Sequence, residues 1–383
     1  MFRFSLLSLC LVATLAGPLL SDEPPALNSK DKLIVETLLR LDEFDLDSSV
    51  KAKAALMRYL RAQPGTDQYF ELIERFKITD FSGELVSFVL QHADESTGVR
   101  GAGVLGKLGQ LNLLRARLTA DDPDALAAAT LLGHVAGEHT VNWLLPSLDD
   151  RKLPVAVRTA CLVAVGRRAD GQKALLKLVA SSKLPDDLKF AAANALLGSG
   201  DARIEAEAAK YLELPATADS QPLPPLSELV KRTGDIAAGA VVFRTQGTCI
   251  ACHKVRGEGK DVGPDLSEIG SKLSRDAMFV AILDPSAAIS HNYETYTLLT
   301  DDGSTVTGLL VSDTAAAMTL RTAEGIDKKV VKESIEDFKK QTTSLMPQDL
   351  QRQMTADQLV DLVAYTMSLT KTASDPLSEE AGE

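Results

Sequence analysis

Aromatic side chains are scarce in this 383-residue sequence, at 5% of residues with a single tryptophan. That scarcity excludes a core organised mainly by large rings, and the abundance of Ala and Leu points to closely packed helices instead. Positive charge is short as well: 41 Lys and Arg face 53 Asp and Glu, a formal net charge of −12. Such a chain is a poor partner for nucleic acid. Beyond the N-terminus no uncharged apolar run reaches the roughly 18 residues that a bilayer-crossing helix needs, so no membrane span is expected in the mature chain. Hydrophobic residues make up 45%, as in globular proteins, and the length allows about two to three domains.

The N-terminus is a special case. Met1, Phe2 and Arg3 form a short basic start, an apolar run follows from Phe4 to Gly17, and Asp22-Glu23-Pro24-Pro25 is polar. This is the pattern of a secretory signal peptide, assigned to residues 1–21, and implies a periplasmic or otherwise exported protein. Four cysteines are present; Cys10 would leave with the signal, and the odd remainder argues against a framework of paired disulfides. Cys161 stands alone in an apolar helical run and reads as a buried apolar residue.

The closest cysteine pair forms Cys249-Ile250-Ala251-Cys252-His253, the attachment spacing of a c-type haem. Two intervening residues on a helical turn let both sulfurs reach a porphyrin edge, and the adjacent imidazole can ligate iron. A redox dithiol would need a preceding strand, but a helical pattern precedes the pair; a zinc site would need a second Cys or His pair nearby. Asp235 is placed to cap a helix through Ile236, Val241 and Phe243, and a glycine-rich loop after the motif ends in Gly263-Pro264-Asp265-Leu266. Thr355-Ala356-Asp357-Gln358 is a capping box opening a second amphipathic helix with Leu359, Leu362, Val363 and Met367. Ahead of it, Ser344-Leu345-Met346-Pro347 presents a methionine in a loop.

These residues resemble the class I cytochrome c fold. More narrowly, Leu226 to Lys371 is similar to the haem-binding domain of planctomycete and verrucomicrobial proteins, with its Gly-Pro-Asp-Leu, Leu-Asp-Pro-Ser, Tyr-Glu and Ser-Leu-Met-Pro segments. The resemblance implies one covalent haem c, with Cys249 and Cys252 as thioether links, His253 as proximal ligand, Met346 as distal ligand and the Pro264 carbonyl as acceptor for the second ring N–H of His253. Met278 and Met367 fall on helix faces and read as packing; Met318 falls in a strand-like run, Met354 just before the last helix and Met57 far away. His291 is the rival distal ligand. The long stretch between His253 and Met346 holds alternating segments with turn signals at Asp301-Asp302-Gly303-Ser304 and Glu324-Gly325, so a small antiparallel sheet is expected at about 293–335.

The chain before this is different. Helical runs end in Gly106, Gly133, Gly166 and Gly198 at steps of 27, 33 and 32 residues, room for two helices per unit, and resemble short HEAT-like repeats over 27–214. His92, His134 and His139 lack metal-ligand spacing. Pro215 to Pro225 reads as an exposed proline-rich linker, Leu226 to Lys371 as the cytochrome c domain, and 372–383 as an acidic disordered tail. The fold class expected is mainly α: a solenoid followed by a helical cytochrome domain with a β insertion. The expected function is single-electron transfer by an exported monohaem cytochrome with a redox protein partner; the resemblance implies periplasmic dehydrogenases as company. The alternatives are a peroxidase-like haem enzyme with a displaceable distal ligand, and a repeat scaffold with a sensing haem.

Overall fold

A computed structural model describes residues 28–41, 44–93 and 95–371. The expected signal peptide and the expected acidic tail lie outside the described residues. The chain divides into two compact units between Glu84 and Leu85.

The first unit contains α1 (Ser29–Arg40), α2 (Val50–Ala62) and α3 (Asp67–Arg75), and α4 (Ser82–Gln91) spans the division. Asp31, only 4% exposed, is neutralised by a two-pronged pair with Arg58 at 2.8 and 2.9 Å. Tyr69 meets Phe70 and Phe81 edge to face, with ring centroids 5.1 and 5.9 Å away.

The second unit opens with a helical array: α5 (Ser96–Lys107), α6 (Asn112–Arg115), α7 (Ala125–Val135), α8 (Thr140–Leu144), α9 (Val155–Gly166), α10 (Ala169–Ala180), α11 (Lys189–Leu197) and α12 (Ala202–Ala208). Alternate helices α5, α7, α9 and α11 pack in succession. Small residues set their spacing: a Cβ on Gly133 would lie 2.6 Å from that of Ala164, and one on Gly166 would lie 2.7 Å from that of Ala195. Cys161 is fully buried on α9, and burial pushes its thiol up to about 11.

The remaining elements are α13 (Leu226–Leu229), α14 (Ile236–Arg244), the two-residue strands β1 (Lys254–Val255) and β2 (Glu258–Gly259), α15 (Arg275–Leu283), strands β3 (Thr295–Thr300), β4 (Thr305–Asp313), β5 (Ala317–Arg321), β6 (Asp327–Val331) and β7 (Ile335–Lys340), and α16 (Ala356–Ser368). Helix α14 starts where Asp235 accepts from the amides of Ala237 and Ala238, and α16 starts with the capping box of Thr355 and Gln358. The two helices cross closely because Gly239 has no side chain; a Cβ there would sit 1.9 Å from the Asp361 carbonyl oxygen. Phe243 and Tyr365 meet edge to face across the crossing at 5.4 Å. Together with Met278, Phe279, Leu359 and Val363 they form the core of this region. The mainly α class with a small antiparallel sheet holds.

The structure departs from the expected organisation at two places. The segment 215–225 is not a uniformly exposed linker: Leu223 is 2% exposed and belongs to the core just described. The segment folds back on itself, Leu223 N–H donating to the Pro215 carbonyl at 2.9 Å and Ala218 N–H to the Met354 carbonyl at 3.0 Å. One apolar anchor and a turn at Ser220, in the left-handed region at φ 61°, suffice to dock it despite its prolines. Phe190 and Leu214 pack against the same core, so the helical array and the region after Leu226 share apolar contacts. The sheet is also longer than expected: it has five antiparallel strands in the order β6-β5-β4-β3-β7 and extends to Lys340 rather than about 335. Strand β7 returns to pair with β3. Its only apolar residues, Ile335 and Phe338, sit among four charges and do not alternate strictly.

Candidate functional site

Helix α14 delivers the chain into Gly247-Thr248, and Thr248 takes a left-handed turn at φ 50°. The turn Cys249–Ala251 follows, with the His253 amide donating to the Cys249 carbonyl at 2.9 Å. This single helical turn sets both sulfurs and the imidazole on one structural unit. The chain then reverses between β1 and β2 through Arg256 and Gly257, both at positive φ, the backbone of a tight two-residue hairpin turn. It wraps back over the motif: the amides of Val262 and Gly263 both donate to the Cys252 carbonyl, at 3.0 and 2.7 Å.

That wrapping places Pro264 at the imidazole. His253 Nδ1 lies 2.8 Å from the Pro264 carbonyl oxygen; a carbonyl only accepts, so Nδ1 carries the proton and Nε2 keeps its lone pair. Gly263 makes this approach possible, since a Cβ there would lie 2.4 Å from the ring carbon Cε1. Burial lowers the pKa of His253, the Pro264 hydrogen bond working in the other direction. Burial also pushes the Cys249 thiol up to about 12, and raises Cys252 with Lys260 opposing. Both shifts run opposite to the depressed thiol of a redox dithiol. Among the described residues no group of three or more Cys, His, Asp or Glu side chains is gathered to hold a metal ion, which leaves the zinc alternative without partners.

Met346 comes to the same place from the other end of the region. Ser286, in the Leu283-Asp284-Pro285-Ser286 segment that ends α15, accepts from the Ser344 amide at 3.0 Å and from the Gln348 side chain at 2.7 Å. Met346 N–H in turn donates to the Ser344 hydroxyl at 3.1 Å. The loop is thus pinned on both sides of its methionine. Ser286 carried no role in the sequence; its partners lie about sixty positions away, and no local pattern announces them.

Cys249, Cys252, His253, Pro264 and Met346 all line one mainly apolar cavity of about 410 Å³. Met278 also reaches its wall while being 4% exposed in the core; Met354 is buried in the same core without lining the cavity, and Met318 is buried in the sheet. Met367 packs against the core without lining the cavity. The rival His291 is largely exposed beside Glu294, at 3.6 Å, and is not part of the wall. The other histidines are engaged elsewhere: His92 with Glu95, His134 with Arg167, and His139 stacked on Trp143.

Residues 236–301 match the family model of cytochrome c. The match supports a c-type cytochrome domain and runs from α14 through the motif and the Pro264 loop into β3; Met346 and α16 lie beyond it. No curated protein matches the chain. A cytochrome c domain implies covalent haem c and a redox partner, and the residues fit the group. Two cysteines, a neutral imidazole with an available nitrogen and a thioether sulfur share one apolar cavity. Among the described residues no helix is long and apolar enough to cross a membrane.

Proposed function

We propose that this chain is an exported cytochrome that holds one haem c and passes single electrons between redox partners. The observation that carries the reading is the convergence of Cys249, Cys252, His253 and Met346 on one cavity, with the imidazole already oriented by Pro264. When bound, the haem supplies a one-electron iron couple. Cys249 and Cys252 would hold it through thioether bonds. His253 commits its Nδ1 proton to Pro264 and would offer Nε2 as a neutral donor to the iron, and Met346, on its pinned loop, would offer its sulfur as a second donor. The apolar wall excludes water, and a thioether ligand in such surroundings raises the potential.

With His253 and Met346 both holding the iron, no position would remain for a substrate, which favours a carrier over a peroxidase-like enzyme. Export rests on the basic start and apolar run of residues 1–21, and places the protein in the periplasm or beyond. A net charge of −12 suits a partner with a basic docking patch, because complementary fields speed encounter; a periplasmic dehydrogenase is the class the sequence resemblance brings. The successive packing of α5, α7, α9 and α11 supports a HEAT-like array for protein interaction. The ferric absorption spectrum tests the central assignment. The wild type should show the weak band at the red edge that marks Met–iron ligation, and Met346→Ala should lose it while gaining cyanide and imidazole binding. Met278→Ala should keep the band and lose stability, roughly 2–5 kcal/mol for a buried methionine. Loss of the band in Met278→Ala but not in Met346→Ala would transfer the ligand role.

A further inference from the structure

The five-stranded sheet reaches the site through Leu309 of β4 and through the turn after β5. Between β5 and β6, residues 322–326 lie over the loop that carries Val262, Gly263 and Pro264. Arg321, at the end of β5, donates from Nη1 to the Asp261 carbonyl at 2.8 Å, and its guanidinium is aimed by a two-pronged pair with Asp327 at 2.7 and 3.1 Å. Lys260 donates to the Glu324 carbonyl at 3.2 Å, and Gly325 packs on Val262, a Cβ there falling 3.2 Å from Cγ2. Under this latch, Val262 is 4% exposed and lines the cavity beside Ala323 and Leu309 of the sheet. The inserted sheet is thus part of the cavity wall. The backbone that Arg321 grips at Asp261 continues directly into the amides that fold onto Cys252 and the carbonyl that orients His253.

We propose that Arg321 is a positioning residue for the haem site: through Asp261 it clamps the Pro264 loop under the sheet, which fixes the imidazole and keeps solvent from that side of the cavity. The proposal rests on the haem reading above. Without the clamp the turn at 322–326 and the loop at 260–264 separate, and water enters between Val262 and Ala323. Solvent stabilises the more highly charged ferric state, so the potential falls.

Charge alone is separated from positioning by three substitutions in the full-length holoprotein. Arg321→Gln removes a positive charge, Arg321→Lys keeps the charge but loses the planar fork, and Asp327→Asn removes a negative charge while leaving the guanidinium unaimed. The ferric fraction is read against a redox buffer of fixed potential, alongside the Met–iron band and the thermal midpoint. All three variants should shift toward ferric with the band retained, Arg321→Gln the most. A purely Coulombic pattern, with Arg321→Gln shifted toward ferric, Arg321→Lys unchanged and Asp327→Asn shifted toward ferrous, would overturn the clamp. So would an unchanged ferric fraction in folded variants. A wild type without covalent haem would instead overturn the proposed function, and this inference with it.

Discussion

Gly263 is the residue on which the imidazole's position depends most tightly. A methyl group there would overlap the His253 ring, lying 2.4 Å from Cε1, far inside contact distance. Gly263→Ala should therefore displace either the ring or the loop, and an altered ferric spectrum with haem still attached is the expected outcome. A spectrum identical to the wild type would mean that the ring has room the structure does not show. Ser286 makes the matching prediction for the other ligand. Ser286→Ala frees the Ser344 amide and the Gln348 side chain, so added imidazole should displace Met346 at lower concentration than in the wild type; titration of the Met–iron band measures it. The contrast between these positions explains what the sequence reveals at this scale. Cys249, Cys252, His253 and Pro264 lie within sixteen positions of one another, and their chemistry is written in local spacing. Ser286 and Arg321 each act on a partner some sixty positions away; although Ser286 falls in the Leu-Asp-Pro-Ser segment and Arg321 pairs with nearby Asp327, no local pattern assigns either of them a role at the site.

At the scale of elements, helices α14 and α16 were legible because capping residues and apolar periodicity coincide at both. Their crossing was not, since the closeness of Gly239 to the Asp361 carbonyl is a tertiary fact. Gly239→Ala should force them apart at a cost of about 1–3 kcal/mol, the usual range for overpacking, read from the urea midpoint of unfolding. A midpoint unchanged from the wild type would contradict the close crossing. Strand β7 escaped the sequence reading because its partner β3 already looked complete as a hairpin with β4, and a bulge at Leu299/Thr300 breaks the alternation it answers. The proline-rich segment misled in the opposite direction. Absence of periodicity reads as exposure, but the single Leu223 docks it, and a lone anchor carries no period.

For the whole molecule the consequence is a core shared by the helical array and the cytochrome region, through Phe190, Leu214 and Leu223. A fragment beginning at Pro215 should unfold at higher urea than one beginning at Leu226, which lacks the Leu223 anchor; equal midpoints would mean that the anchor contributes nothing. Charges near the same junction give a pH signature. Asp187 is held below the ordinary carboxylate range by its hydrogen bond to buried Arg158, burial opposing, so its contribution is present above pH 3.8 and is lost as pH falls through its lower folded value. Asp284 is pushed up by burial and by Asp187; its contribution is present below pH 3.8 and is lost as pH rises through its higher folded value. Acidifying from neutrality should first relieve Asp284 and then remove the Asp187 contribution. Asp284→Asn should erase the first limb and Asp187→Asn the second in thermal midpoints measured across pH; limbs that persist in both variants would place the titration elsewhere. Everything proposed for the function, however, rests on covalent haem at one motif, and the intact mass of the denatured chain tests it most directly. Expressed with a haem-attachment pathway, the chain should be heavier by one haem, and the Cys249→Ala, Cys252→Ala double variant should have the bare polypeptide mass. A wild-type chain at the bare mass, with any haem extracted by acidified solvent, would contradict the account.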